Sequence, residues 1–468
     1  MKKILIYYLF ITLSIFVNSC TDGFKEEATE SYKSNIYEVT AITSPTRDAT
    51  PDYVFYSNMA GTIKYGGSCS SSTTDAIYGN NTITLDSLND GTYSDCAITV
   101  TNQQLNLKSS LAITSFTVVC GSCVQMGGSL QGSELILTTE VTTLAGTGDS
   151  GTEDNTTGTR AEFNQPWDIT TDGTNLYVAD TSNHIIRQVV ISTGAVTTLA
   201  GTAGTWGNTD NDTGTSASFK NPKGITTDGT NLYVADASNQ RIRQIVISTG
   251  AVTTLAGSSS QGSTDNTGIL AKFRTPSGIT TDGTNLYVAD SGNHKIRKIV
   301  ISTGVVTTLA GPAHPNYPSG TDNGTGTSAR FYEPLGITTD GTNLYVADTK
   351  NHLIRQIVIS SRAVTTLAGT GDSGTEDNTT GTSASFNSPS GITTDGSNLY
   401  VADRSSSIIR RIVIATGAVT TLAGTGASGN PVDDYGTEAR FKVPTGITTD
   451  GIDLSVTDKS NHLIRKID

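Results

Sequence analysis

Several groups of residues in this chain have types and spacings that could do chemistry. His184, His294, His352 and His462 recur in one context, Asn-His-x-Ile-Arg. Repeated imidazoles invite a transition-metal reading. Around the same segments, aspartates and arginines recur seven residues apart: Asp180 with Arg187, Asp236 with Arg243, Asp290 with Arg297, Asp348 with Arg355, Asp403 with Arg410, and Asp458 with Arg465. Opposite charges at a fixed spacing make bridges or loop clamps. Asp154, Asp210, Asp265, Asp322, Asp377 and Asp433 stand in Gly-rich loops, and such oxygen-rich loops can bind calcium. Cys120 and Cys123 form a CxxC pair of the kind that carries redox chemistry. Finally, Trp167, Asp168, Trp206, Lys223 and Tyr332 break an otherwise repetitive pattern. An aromatic platform beside polar groups suits sugars or peptide side chains.

Most of these groups read as scaffold. The histidines sit in a connection away from the repeat axis, and Gln240 and Ser407 replace them in two copies with no compensating ligand. They are expected to cap that loop, not to hold a metal. The acidic loops match neither an EF-hand nor a nonapeptide calcium repeat, and Asp and Asn in such contexts make Asx-turns. No cofactor is therefore expected, calcium being the one these loops would take. The CxxC pair is followed by Gly127, Gly128 and Gly132 and opens no helical pattern, which removes the redox setting. With no second pair it is not a zinc ribbon either. In an exported chain, Cys69, Cys96, Cys120 and Cys123 are expected to form disulfides. Three pairings are open, and Cys69–Cys96 with Cys120–Cys123 is preferred. The first would close a loop worth about 3–4 kcal/mol in denatured-state entropy.

These residues are positioned by a repeat. VTTLAG occurs at Val141, Val196, Val252, Val306, Val364 and Val419. A unit of roughly 55 residues runs between copies, and a fixed period of this length is a repeat architecture. Each unit offers four strands: GITTD, NLYVAD, an IIRQIVI-type run, and AVTTLAG after a Ser-Thr-Gly turn. Four antiparallel strands per unit, repeated radially, make a β-propeller. The Asn183-His184-Ile185-Ile186-Arg187 motif, with its copies around His294, His352 and His462, resembles the NHL family over the whole repeat region. That resemblance implies a six-bladed propeller. The last unit stops inside its third strand, while an orphan fourth strand at Val141 precedes the first unit. The orphan is expected to complete the last blade and so remove an open edge. In the last unit Ser455 and Thr457 replace the Tyr and Ala of NLYVAD, and the tyrosines are expected to pack between blades.

The domain plan follows. Residues 1–19 read as a signal peptide: Lys2 and Lys3, a fourteen-residue apolar run over 4–17, then Val17-Asn18-Ser19-Cys20. This resembles a bacterial lipoprotein signal, which implies lipidation of Cys20 and a location in the bacterial cell envelope. Residues 20–35 are a polar tether. Residues 36–120 alternate apolar and polar residues between turn clusters, the pattern of a small β-sandwich. Thr-Ser-Pro-Thr (43–46), Ala-Gly-Thr-Ile (60–63), Gly-Gly-Ser-Cys (66–69) and Asp-Gly-Thr-Tyr-Ser-Asp-Cys (90–96) are similar to bacterial immunoglobulin-like modules, which implies a stalk. Residues 121–140 are a linker, and 141–468 are the propeller.

The formal net charge of −13, with Lys and Arg spread thinly over the repeats, excludes a nucleic-acid partner. Two function classes are weighed. One is a binding or scaffold protein, a monomer on a lipid anchor, presenting a propeller face to a protein, peptide or glycan. The other is an enzyme. The resemblance brings with it metal-dependent lyases and related lactonases, whose ligands are singular His, Glu or Asp residues in the channel. Here strand a repeats Ile-Thr-Thr-Asp in every unit, and Asp168 is the lone carboxylate at a strand entrance, where the other units have Gly224, Gly278, Gly336, Gly391 and Gly446. Binding without catalysis is the expectation.

Overall fold

The computed structural model describes residues 35–40, 42, 52–85, 91–103, 107–118, 135, 137–312 and 319–468. The signal peptide, residues 20–34 of the tether with Cys20, and Cys120 and Cys123 lie outside the described residues, as do His314 and Tyr317. No helix among the described residues is long and apolar enough to cross a membrane. Two compact units divide the chain near Thr117.

The first unit is all β. Ile36–Thr40, Asp52–Ser57 and Gly79–Thr84 form one antiparallel sheet. Asp75–Ala76, Gly61–Gly66, Ala97–Asn102 and Leu107–Ala112 form another. Strand alternation sends Tyr53, Phe55, Ile63, Ile83, Ile98 and Val100 inward, all buried. Cys69 and Cys96 are joined by a disulfide.

The second unit contains six antiparallel sheets of four or five strands among the described residues. In blade 1 strand a is Pro166–Thr171, strand b is Asn175–Asp180, strand c is Ile185–Val190 and strand d is Val196–Ala200. The strands a of successive blades touch one another, and blade 6 returns to blade 1, so the ring closes. The closing sheet pairs Glu140–Ala145 with Leu463–Ile467, as the register of the chain ends predicts. Thr139 donates its N–H to the Asp468 carbonyl at 2.7 Å, and Asp468 returns one to Glu140 at 3.0 Å.

The NLYVAD strand is buried on both faces, which explains its nearly continuous apolar run. Its preceding turn is an Asx-turn: Asp172 Oδ1 accepts the N–H groups of Thr174 at 2.9 Å and Asn175 at 2.7 Å. The hydroxyl of Tyr177 donates to Asp172 Oδ2 at 2.7 Å, while its ring enters the core shared with blade 2.

Candidate functional site

The invariant charges form a buried clamp in every blade. Arg187 Nη1 reaches Asp180 Oδ2 at 3.2 Å and Nη2 reaches Asp154 Oδ1 at 2.6 Å. Both Arg187 and Asp180 are wholly buried. Asp180 also accepts the N–H of Asn164 at 2.7 Å and the amide of Asn183 at 2.8 Å. Asp154 accepts Thr198 N–H at 2.9 Å and its hydroxyl at 3.1 Å. The Arg187 guanidinium lies 5.0 Å from the Phe163 ring centroid, and each other blade repeats that stack. The loop aspartates are thus engaged in tying strand d and the d-to-a loop to strand c. Blade 4 requires a correction: Asn323, not Asp322, occupies the clamp position, receiving Arg355 Nη2 at 2.8 Å. Asp322 pairs instead with Arg330 Nε at 3.0 Å, on the surface.

The histidines are acceptors between blades. Each adopts a left-handed backbone, with φ of 61° at His184. His184 Nδ1 accepts the N–H of Asn221, at 3.2 Å, and His294, His352 and His462 accept from Glu333, Ser388 and Gln165 at 3.1, 3.0 and 3.1 Å. Gln240 does the same with its carbonyl oxygen, receiving Thr275 N–H at 2.6 Å. The bond needs a neutral imidazole, and burial lowers the pKa of all four histidines.

The second threonine of each strand a pair is held by the turn: Thr171 Oγ1 donates to the Asn175 carbonyl at 2.9 Å and accepts Gly173 N–H at 2.9 Å. Glycines narrow the channel. A Cβ placed on Gly224 would lie 2.0 Å from the Ser277 carbonyl oxygen, and Gly278, Gly336 and Gly391 meet the next blade as closely. Blade 1 has Asp168 there. Its strand pairs Asp168 with Ala179 directly, whereas blade 2 leaves Gly224 in a bulge between Pro222 and Ile225.

At this ring lies a small cavity of about 20 Å³, partly open to solvent. Trp167, Asp168, Leu335 and the residues Ser277, Ser390 and Thr445 line it. Lys223 Nζ lies 4.6 Å and Lys459 Nζ 4.8 Å from the Trp167 ring centroid. Burial, with Arg404 and Lys459 nearby, pushes Lys223 down to about 8, while Glu333 opposes the shift. Burial also lowers Arg404, again against Glu333. Asp168 keeps part of its surface open to the channel, yet desolvation lifts its carboxyl to about 7 against the N–H groups of Ile169 and Ile225. Ile225 N–H donates to Asp168 Oδ2 at 3.3 Å.

Of the five candidates, the structure brings Trp167, Asp168 and Lys223 to one mouth. Trp206 is 63% exposed and stacks with Lys220, whose Nζ lies 4.1 Å from its centroid. Tyr332 meets His294 edge-on at 5.5 Å. Neither joins Trp167. Arg404 and Lys459 were missed. The signal was present: the position after the strand b aspartate reads Thr181, Ala237, Ser291, Thr349, Arg404, Lys459. Thr181, Ser291 and Thr349 donate their hydroxyls to the proline carbonyls of Pro222, Pro334 and Pro389 in the next blade. Arg404 and Lys459 replace that staple with a long cation.

No protein-family profile matches the chain. It is 30% identical to human NHL repeat-containing protein 2 over 294 residues, 56% of this chain and 40% of that protein. It is 32% identical to the Arabidopsis thaliana protein SUPPRESSOR OF QUENCHING 1, chloroplastic, over 276 residues, 55% of this chain and 26% of that one. The chain thus spans less than half the length of these curated relatives. A crystal structure of an auxiliary nutrient binding protein from Bacteroides thetaiotaomicron superposes with a TM-score of 0.53 at 16% identity, covering 90% of this chain and 94% of that one. The repeat region folds as a β-propeller and is similar in sequence to NHL repeat-containing proteins.

Proposed function

We propose that this chain is a lipid-anchored extracytoplasmic binding or scaffold protein. In this reading the propeller presents the Trp167 mouth to a protein, peptide or glycan, and the N-terminal unit is an immunoglobulin-like stalk. The carrying observation is the convergence of Trp167, Lys223 and Lys459 at two repeat positions that most other blades fill with Ser, Thr, Ala or Leu. Side chains that leave a repeat pattern and meet in space are the mark of a site grafted on a scaffold. The nutrient-binding protein of similar fold agrees with this reading.

A glycan and peptide array probed with the parent chain and Trp167→Ala tests it. Hits are expected to weaken about tenfold or more in the variant, the loss of a central aromatic contact. Unchanged binding to every hit would overturn the reading. Cys20→Ala is expected to move the protein from the membrane to the soluble fraction; retention at the membrane argues against the anchor. The binding needs no cofactor in this reading, so chelation of divalent ions should leave it unaltered.

One observation favours the enzymatic alternative: Asp168 titrates near neutrality beside a cavity, as a general acid or base would. The metal-dependent lyase or lactonase form of that alternative fits poorly, because no three His, Cys, Asp or Glu side chains come together among the described residues.

A further inference from the structure

We infer that the mouth takes the carboxylate of a terminal acidic sugar, a uronic acid, at the end of a glycan ligand. This deepens the binding-face reading and rests on it. The first support is charge. The chain is acidic overall, at −13, yet three cations from three blades, Lys223, Arg404 and Lys459, gather at the mouth against two carboxylates, Glu333 and Asp168. Each cation stands at a position that most other blades fill with Ser, Thr, Ala or Leu, so the charge is a local departure and not part of the scaffold. Like charges held together in a partly desolvated bowl repel one another, and an anion relieves that repulsion.

The second support is shape. The glycine ring leaves almost no space beneath the mouth, with Gly224, Gly278 and Gly336 backed onto carbonyl oxygens of the next blade. A chain cannot thread; the site is a shallow bowl for the end of a ligand. The third support is the lining. Leu335 gives one aliphatic side chain, and Trp167 gives an indole with the ammonium groups of Lys223 and Lys459 at 4.6 and 4.8 Å from its ring centroid. An indole face beside cations suits an acidic sugar ring. The bowl has no deep apolar pocket for a peptide side chain.

The test is calorimetric titration of the full chain with short oligogalacturonates and with neutral galactose oligomers, at low and high salt. Three variants restore the repeat residue: Lys223→Ser, Arg404→Thr and Lys459→Thr. They should fold, because serine or threonine already serves at those positions in other blades. The acidic oligomer is expected to bind about tenfold or more tighter than the neutral one, to weaken with salt, and to lose about tenfold in each variant. Equal binding of acidic and neutral oligomers overturns the inference but leaves the face reading standing. Acid binding that survives all three variants overturns it too, since the acid then sits elsewhere. If only peptides with a free C-terminal carboxylate bind, the sugar assignment fails. The face reading itself fails separately, on array hits indifferent to Trp167→Ala.

Discussion

Five of the six blade junctions are filled by one device, and the junction between blades 6 and 1 by another. At the five, a strand b tyrosine (Tyr177, Tyr233, Tyr287, Tyr345 or Tyr400) enters the core shared with the next blade. Its hydroxyl ends on its own turn aspartate, at 2.7 to 2.9 Å. At the closing junction Ser455 stands in that place, and the core joins Ala145 and Ile464 to Phe163, Ile169 and Leu176 with no tyrosine. Directional bonds are added instead. Thr457 Oγ1 accepts Gly446 N–H at 2.7 Å and donates to the Trp167 carbonyl at 3.0 Å, with Thr445 Oγ1 3.0 Å away. Apolar filling fixes how closely two blades approach; hydrogen bonds fix where one backbone group stands. The closing junction gives up volume and gains placement of the strand that carries Trp167 and Asp168. The candidate site is therefore built beside the blade that the two chain ends complete, through the ladder of Glu140–Ala145 on Leu463–Ile467.

The largest test breaks that joint. Deleting residues 463–468 removes strand c of blade 6, its buried Arg465, and the ladder to Glu140–Ala145. Two sheet edges are left unpaired, and buried Asp458 loses its counter-charge Arg465. We expect loss of cooperative thermal unfolding and rapid proteolysis of the propeller. A truncated chain that melts at the parental temperature would mean that closure contributes little.

Next in size is an exchange of devices. Tyr345→Ser gives the blade 4–5 junction the side chain found at the closing one. It should cost about 3–5 kcal/mol, the range for deleting a buried aromatic side chain. Ser455→Ala should stay within about 1 kcal/mol. Equal losses in denaturant titrations would show that the tyrosines are not what distinguishes the junctions.

A smaller effect follows from the imidazole acceptors, present at four junctions, where Gln240 serves at a fifth. Their folded pKa lies below the unfolded one, so the folded chain disfavours the proton. Their contribution is complete above the unfolded value of about 6.5 and is lost as pH falls through the lower folded value. Asp168, raised to about 7, and Asp180, Asp348, Asp403 and Asp458, raised to about 6, titrate nearby with the opposite sign. Comparing His352→Gln with the parent cancels them. Lys350 and Asp372, which also act on His352, are common to both chains. The melting temperature of the variant should fall less than that of the parent between pH 7 and about 5.5. Parallel curves would remove His352 as a pH-sensitive clamp.

How much of this the sequence carried depends on whether a signal repeats. The strands, the Asp–Arg pairs and the role of the chain ends recur in register, so position within the unit is enough to read them. Phe163 and its counterparts recur as faithfully, but their stacking on arginine joins a loop to a strand that are distant along the chain, which periodicity does not report. Asp322 was misassigned because the loop before blade 4 is rebuilt, and the clamp fell to the neighbouring Asn323. The mouth was half legible. Trp167, Asp168 and Lys223 stand out within strand a, whereas Arg404 and Lys459 lie in the b–c connection, and only the ring geometry brings those two segments together.

The smallest expected effect separates the two tryptophans. Both were candidates because tryptophan occurs twice in the chain, each time at a position the other blades fill differently. Rarity alone does not distinguish a site from drift in a tolerant loop. Trp206 contacts Lys220 and leaves 63% of its surface in solvent, so its removal uncovers no core and breaks no junction. Trp167 sits between two ammonium groups on the strand that Thr457 holds. Trp206→Ala should therefore change stability by no more than about 0.5 kcal/mol and leave affinity for array hits within about twofold. Trp167→Ala, assayed beside it, should weaken them strongly. If Trp206→Ala weakens binding as much as Trp167→Ala, the ligand extends from the mouth across the loop before blade 2, and the closing junction is one end of the site instead of its centre.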